Sequence, residues 1–108
     1  MARFLTTVPS SLTPADTFAK LAAFERVPEW DPNTSAGIRV GAELGLGTEF
    51  DITTVFGGRM LELRYRLTVY EPDTQMAFEA TMPNGTHLRD AISLTPTPTG
   101  CDVTYDAR

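Results

Sequence analysis

Cysteine and histidine are almost missing from this chain: Cys101 and His87 are the single examples of each. A lone cysteine excludes an internal disulfide and a cysteine-based metal cluster. One histidine leaves little from which to build a zinc site, so neither a metal nor a cofactor is expected. Long apolar runs are absent as well. Nothing approaches the ~18 residues a membrane span requires, and the N-terminal MARFLTTVPSS lacks the apolar core of a secretory signal. A cytoplasmic location is the default expectation. Basic charge is scarce, with 9 Lys and Arg against 14 Asp and Glu and a net charge of −5. Without a basic stripe, nucleic-acid binding is not expected. Repeats, linkers and low-complexity tracts are also lacking. What remains is 108 residues at 42% hydrophobic content, enough for one small domain over residues 1–108 and too apolar for a disordered tail.

Arg3 to Val8 is short, β-branched and aromatic, and reads as a strand. A helix follows from Pro14 to about Phe24: Thr13 suits the N-cap, Pro14 the first helical position, and Asp16 the positive helix end. Phe18, Leu21 and Ala22 give it one apolar face. Pro28 interrupts it, and VPEWDPN reads as a second helical turn or tight loop closed by Pro32. From Gly37 onward the pattern is all strand, in six segments broken at GLG, GG, EPDT, PNG and PTPT. The glycines Gly45, Gly47, Gly57 and Gly58 do not form a phosphate loop, since no Lys-Ser/Thr follows them and no helix flanks them.

The loop lengths set a register. A two-residue turn at Gly57-Gly58 places Ile52 opposite Leu63, Phe50 opposite Tyr65, Asp51 opposite Arg64 and Glu49 opposite Arg66. A four-residue loop from Glu71 to Thr74 sets Leu67 opposite Phe78 and Arg66 opposite Glu79. A three-residue loop, Pro83-Asn84-Gly85, sets Glu79 opposite Arg89 and Phe78 opposite Asp90. A four-residue loop from Pro96 to Thr99 sets Arg89 opposite Asp106, Ile92 opposite Val103 and Asp90 opposite Tyr105. One face then carries Glu49, Arg66, Glu79, Arg89 and Asp106 with alternating sign, as favourable cross-strand pairs require. The other carries Phe50, Ile52, Leu63, Tyr65, Leu67, Phe78, Ile92, Val103 and Tyr105. A slip of one residue would mix the two sets. The expectation is an α+β domain: an antiparallel meander of about seven strands with one wet and one dry face, and two short helices after the first strand.

This order of elements resembles the SRPBCC or START-like superfamily, in its polyketide cyclase/dehydrase-like branch. The matching residues are Pro28, Glu29, Trp30, Asp31 and Pro32 in the helical turn; Gly47-Thr48-Glu49-Phe50 opening the third strand; Tyr70-Glu71-Pro72 ending the fourth; Asp90, Ile92 and Leu94 in the sixth; and Gly100 to Tyr105 in the last hairpin. The resemblance implies a helix-grip fold, a curved antiparallel sheet wrapped round a long C-terminal helix, with a cavity between them for apolar or amphipathic ligands. Some members of that family are cyclases or dehydratases, and many are carriers or sensors. They share no universal catalytic motif, so no catalytic residue is carried over. The chain departs from the pattern at Arg108, where it stops without the long C-terminal helix. The expectation is therefore a C-terminally truncated or partner-completed domain.

Asp90 is the sharpest polar residue of the dry face. Leu88, Ile92 and Leu94 share its phase, which points it inward. A carboxylate in an apolar cavity is costly unless paired or neutralised, and burial would raise its pKa, as an acid, a base or a ligand anchor needs. Alternatively, Tyr105 simply satisfies it, the missing helix supplied its partner, or strand curvature turns it to a wet rim. Tyr65 and Tyr105 offer apolar bodies with hydrogen-bonding tips, though ordinary core tyrosines are the simpler reading. Trp30 is expected at the cavity mouth, as a lid or ligand contact or as a plug between helices and sheet. His87 falls on the outer face with no in-phase carboxylate and reads as an exposed histidine. Cys101 points inward with nothing to activate it and reads as a packed thiol.

The expected function is binding of an apolar or aromatic, polyketide-like small molecule through Asp90, Tyr65, Tyr105, Phe78 and Trp30. One alternative is a cyclase or dehydratase using Asp90 and Tyr105 as acid and base. Another is an interaction subunit whose apolar face is covered by a second chain. A helix roughly 15 Å long cannot cover a six-strand sheet spanning about 24 Å. The dry face is therefore expected to pair with a second copy, to swap a strand or helix, or to collapse onto the short helices.

Overall fold

In the computed structural model, which describes residues 3–29, 34–41, 43–56 and 58–108, the chain begins with strand β1 (Phe4–Ser10), helix α1 (Pro14–Ala22) and a 3₁₀ helix (Phe24–Glu29). Strands β2 (Thr34–Val40), β3 (Glu49–Phe56), β4 (Arg59–Glu71), β5 (Gln75–Thr81), β6 (His87–Thr97) and β7 (Gly100–Ala107) follow. They form one antiparallel sheet in the order β1-β7-β6-β5-β4-β3-β2, so the first strand closes back onto the last. The sheet curls into a half-barrel and both helices lie on its concave face, the helix-grip arrangement.

Thr13 caps α1 by accepting a hydrogen bond from the Asp16 backbone N–H at 3.1 Å, satisfying one of the orphan donors of the first turn. The helix ends at Ala22, earlier than expected, because Ala23 leaves helical geometry at ψ 72°. Phe24 then starts the 3₁₀ helix, which contains Pro28.

The β3–β4 register is the expected one throughout, including Asp51 opposite Arg64 and Phe50 opposite Tyr65. The β5–β6 register is also as expected, with Phe78 opposite Asp90. There the Pro83-Asn84-Gly85 turn places Gly85 at φ +89°, a left-handed conformation that favours glycine. Two loops differ. Between β4 and β5 only Pro72 to Thr74 turn, because Glu71 pairs with Gln75, and a bulge at Thr68 restores Leu67 opposite Phe78. Between β6 and β7 the turn is Pro98-Thr99 alone, with Thr97 opposite Gly100. Pro96, expected to open a loop, instead lies in β6 opposite Cys101. It is tolerated because β6 there runs past the first β5 residue, Gln75, which pairs with Ser93, so no neighbour needs the missing N–H.

That shorter turn moves the β6–β7 register by two residues. Parity survives, so the dry face keeps its members, but the partners change. Asp106 faces Ala91, Ile92 faces Tyr105, and Asp90 faces Ala107. Arg89 therefore does not sit between Glu79 and Asp106; the Arg108 backbone is its neighbour, through N–H to carbonyl bonds of 3.2 and 2.9 Å.

Of the nine dry-face residues, all but the half-buried Tyr105 are buried within the single chain. Of the three coverings expected for this face, burial of most of it against the short helices within one chain corresponds to collapse of the sheet onto those helices. Bulges at Thr68 and between Thr34 and Ala36 increase local twist, and the resulting curl folds the dry face around the helices. Phe24 sits at the centre, stacked on Phe78 at 4.0 Å and edge-on to Phe50 and Tyr65 at 5.8 and 5.2 Å. The 3₁₀ helix is clamped to β2 by Arg39, which donates to both Glu25 carboxylate oxygens. The two elements approach so closely that a Cβ on Gly37 would lie 2.4 Å from the Glu25 carbonyl oxygen. Gly37→Ala is accordingly expected to cost about 1–3 kcal/mol. Gly45→Ala, where nothing lies within 4 Å of the added carbon, is expected to stay within about 0.5 kcal/mol of wild type. Urea denaturation midpoints of the two variants check this.

Candidate functional site

The helices do not cover the concave face evenly. α1 lies over the end carrying the β4–β5 and β6–β7 turns, where Phe18 meets Tyr70 at 5.4 Å and Thr17 meets the Cys101 thiol at 3.4 Å. The 3₁₀ helix fills the centre through Phe24. Toward the β5–β6 turn the face stays open, as a cavity of about 1430 Å³. Its walls come from every strand except β5, from α1 and from the 3₁₀ helix, and apolar side chains such as Val8, Leu21, Ile52, Ile92 and Val103 dominate them.

Asp90 and Tyr105 lie in this wall, both half-buried. The shifted register makes them diagonal neighbours rather than opposite ones, yet the Tyr105 hydroxyl donates to Asp90 Oδ2 at 2.8 Å. A long side chain spans such a diagonal. A charge-capable group hydrogen-bonded to a hydroxyl in an apolar wall can anchor a polar group of a ligand. Tyr65 also lines the cavity, 6% exposed, its ring held edge-on by Phe24. Phe78 does not reach the wall. It is fully buried, and Phe24 stacks between it and the cavity. Trp30 lies outside the described residues, as do Asp31 and Pro32 of the same turn and Gly57 of the β3–β4 turn.

Sequence reasoning overlooked Phe24 as the central ring, and it overlooked Thr34, a nearly buried hydroxyl residue that pairs with Thr54 and lines the cavity with it and with Tyr65. Thr54 carries the inward parity, but Thr34 sits before the strand that the hydropathy pattern indicates, and only its pairing with β3 brings it in. The β1 side chains Phe4, Thr6 and Val8 join the wall for the same reason, since β1 pairs with β7. Cys101 is a fully buried thiol. His87 is exposed on the strand position opposite Thr81, but it does have a carboxylate in phase: its Nε2 lies 2.7 Å from Glu79 Oε1. The residue pairing diagonally across β5 and β6 was the missing consideration. The hydrogen bonds from Thr68 and then His87 hold the Glu79 carboxyl below its ordinary range. Among the described residues no three His, Cys, Asp or Glu side chains gather as a metal site, and no helix is long and apolar enough to cross a membrane.

A curled antiparallel sheet gripping short helices over an open apolar cavity places this chain in the helix-grip class. Its whole length, residues 1–108, matches the family profile described as polyketide cyclase / dehydrase and lipid transport, and the chain belongs to that family. No curated protein sequence matches it significantly. Among solved structures it is similar to a START superfamily protein from Mycobacterium smegmatis, with TM-score 0.79 and 12% identity, covering 97% of this chain and 74% of that one. A Deinococcus radiodurans protein gives TM-score 0.79 and 12% identity, covering 100% and 82%. A Polyketide_cyc-like protein from Corynebacterium glutamicum gives TM-score 0.61 and 21% identity, covering 97% and 63%.

The cavity mouth is braced on its outer side by charge. Arg3 donates two hydrogen bonds to Asp106, at 3.0 and 2.9 Å, and Arg108 approaches the same carboxylate at 3.5 Å. The Arg3 hydrogen bonds lead in lowering the Asp106 carboxyl from 3.8 to about 2. A carboxyl depressed in the folded state adds stability above its unfolded value, and that contribution is lost as pH falls through the folded one. Between pH 3.8 and about 2 the wild type is thus expected to lose more thermal stability than Asp106→Asn does. Melting curves across this window provide the check.

Proposed function

We propose that this chain binds an apolar or aromatic, polyketide-like small molecule in the cavity beneath α1 and the 3₁₀ helix. The observation that carries the reading is a large, mostly apolar cavity whose wall holds the hydrogen-bonded Asp90–Tyr105 pair and, elsewhere along it, the hydroxyl residues Tyr65, Thr34 and Thr54. This is the usual construction of a small-molecule site. Family membership supports it. In this reading Asp90, Tyr65 and Tyr105 touch the ligand, and Phe78 acts by holding Phe24 in place.

N-phenyl-1-naphthylamine, an uncharged apolar dye, is the direct probe. The folded wild type is expected to bind it with enhanced fluorescence. Tyr65→Ala and Val8→Arg are expected to weaken binding by on the order of tenfold, about 1.4 kcal/mol. Val8 is half exposed on edge strand β1, so its replacement blocks the cavity without opening the core. Absence of dye binding by a folded wild type overturns the reading.

A second reading has its own support. Phe4 is 60% exposed and Val8 50% exposed at the cavity mouth, and contiguous apolar surface of this kind suits a covering partner, such as a second copy. Light scattering on dilution separates the two readings: a concentration-dependent dimer that excludes the dye supports the second.

A further inference from the structure

The two margins of the sheet differ. β2 is guarded: a bulge between Thr34 and Ala36 interrupts its pairing with β3, and the 3₁₀ helix lies against it through the Arg39–Glu25 pair and Gly37. β1 has neither device. It pairs with β7 without a break from Phe4 to Ser10 and carries no charged side chain, and Phe4, Leu5 and Val8 are each at least half exposed. Among the described residues no strand lies on its outer side. A regular, uncharged edge is a template for another strand.

The hydrogen-bond alternation of the sheet fixes which β1 groups are on offer. Arg89 and Arg108 exchange both backbone bonds, so Arg108 turns its backbone to β6, as Asp106, Thr104 and Asp102 then do by alternation. The intervening Ala107, Tyr105, Val103 and Cys101 turn theirs to β1, where they meet Phe4, Thr6, Val8 and Ser10. Leu5, Thr7 and Pro9 therefore present their backbone groups at the open edge. Pro9 forfeits no bond to β7 there, but it offers an outside strand only its carbonyl.

We propose that β1 is a self-association edge: two copies of this chain pair antiparallel through it about a two-fold axis at Thr6, joining their sheets. The occupant is a second copy because the strand is complementary to itself in this register. Leu5 faces the second copy's Thr7 and exchanges two hydrogen bonds with it, and the symmetry repeats the pair. Phe4 faces the second copy's Val8 on the cavity side, so the exposed apolar side chains cover one another. Arg3 faces the second copy's Pro9, so the pairing sets no like charges opposite each other although each chain carries −5. An axis at Thr7 would set Pro9 against Leu5 with one bond missing. An axis at Leu5 would set Phe4 against Thr6 and leave Val8 outside the paired segment. The joined sheet extends sideways, so the proposal goes beyond the ligand-binding reading and does not depend on it.

A pair of short strands is a small interface, of the weak class below ~1,200 Å². Sedimentation across a dilution series from ~1 mM to ~1 μM is expected to show a dimer giving way to monomer. The register is read with Thr6→Cys. On the axis the two Thr6 residues form a non-hydrogen-bonded pair with Cα atoms about 4.5 Å apart, within the reach of a disulfide. Thr6→Cys is therefore expected to cross-link into a dimer in oxidised glutathione, and Thr7→Cys, which meets Leu5 and not its own copy, is expected not to. Cys101 is fully buried and does not compete. Thr7→Pro removes an N–H that points out of the sheet and is expected to abolish the dimer while keeping the fold; should it not fold, the cross-linking decides. A wild type that stays monomeric at ~1 mM overturns the proposal. So does a dimer that Thr6→Cys fails to cross-link, or one that folded Thr7→Pro retains. Dye binding reports on the cavity alone, so failure there removes the ligand-binding reading and leaves this proposal standing.

Discussion

The structure depends on the packing of Phe24. Its ring stacks on Phe78 at 4.0 Å and meets Phe50 and Tyr65 edge-on, so one side chain from a short helical turn fastens strands β3, β4 and β5 at once. Aromatic contacts of this geometry contribute beyond the area they bury. The curl of the sheet makes the packing feasible, since a flat sheet would hold these three rings too far apart to share one neighbour. Phe24 also ends the solid part of the core. On one side α1 completes the packing with Phe18 and Ala22, and on the other the cavity begins.

The 3₁₀ helix can hold Phe24 there because β2 holds the helix. Arg39 grips the Glu25 carboxylate, and Gly37 lets the two backbones touch. β2 is an edge strand, so the clamp also covers part of an otherwise exposed sheet margin. At the other margin β1 is tied to β7 by the Arg3–Asp106 pair, and β1 contributes Phe4 and Val8 to the cavity wall. Exposed ion pairs of this kind add little stability individually.

Most of the sheet could be read from residue order. The alternation of apolar and charged side chains specifies which residues face inward, because a one-residue slip would exchange the faces entirely. The Gly57-Gly58 and Pro83-Asn84-Gly85 turns supplied correct registers for the same reason that short turns have few conformations. Pro96 misled because proline suggests a loop, whereas its missing N–H matters only if a neighbouring strand needs it. The bulge at Thr68 left no mark in the sequence, since a three-residue turn plus a bulge and a four-residue turn give the same pairing at Leu67 and Phe78.

Parity alone thus determined that Asp90, Tyr65 and Tyr105 share one face, and it did so despite an error of two residues in the last hairpin, because a shift of two preserves the face. It could not determine that Phe78 is screened from the cavity, that Thr34 lines it, or that Asp90 meets Tyr105 diagonally. Those depend on where the helical turn lands and how far the sheet curls, both set by contacts between residues distant in the chain. Local sequence encodes the direction a side chain takes from its own strand; which space it enters is decided only when the strands have bent around Phe24.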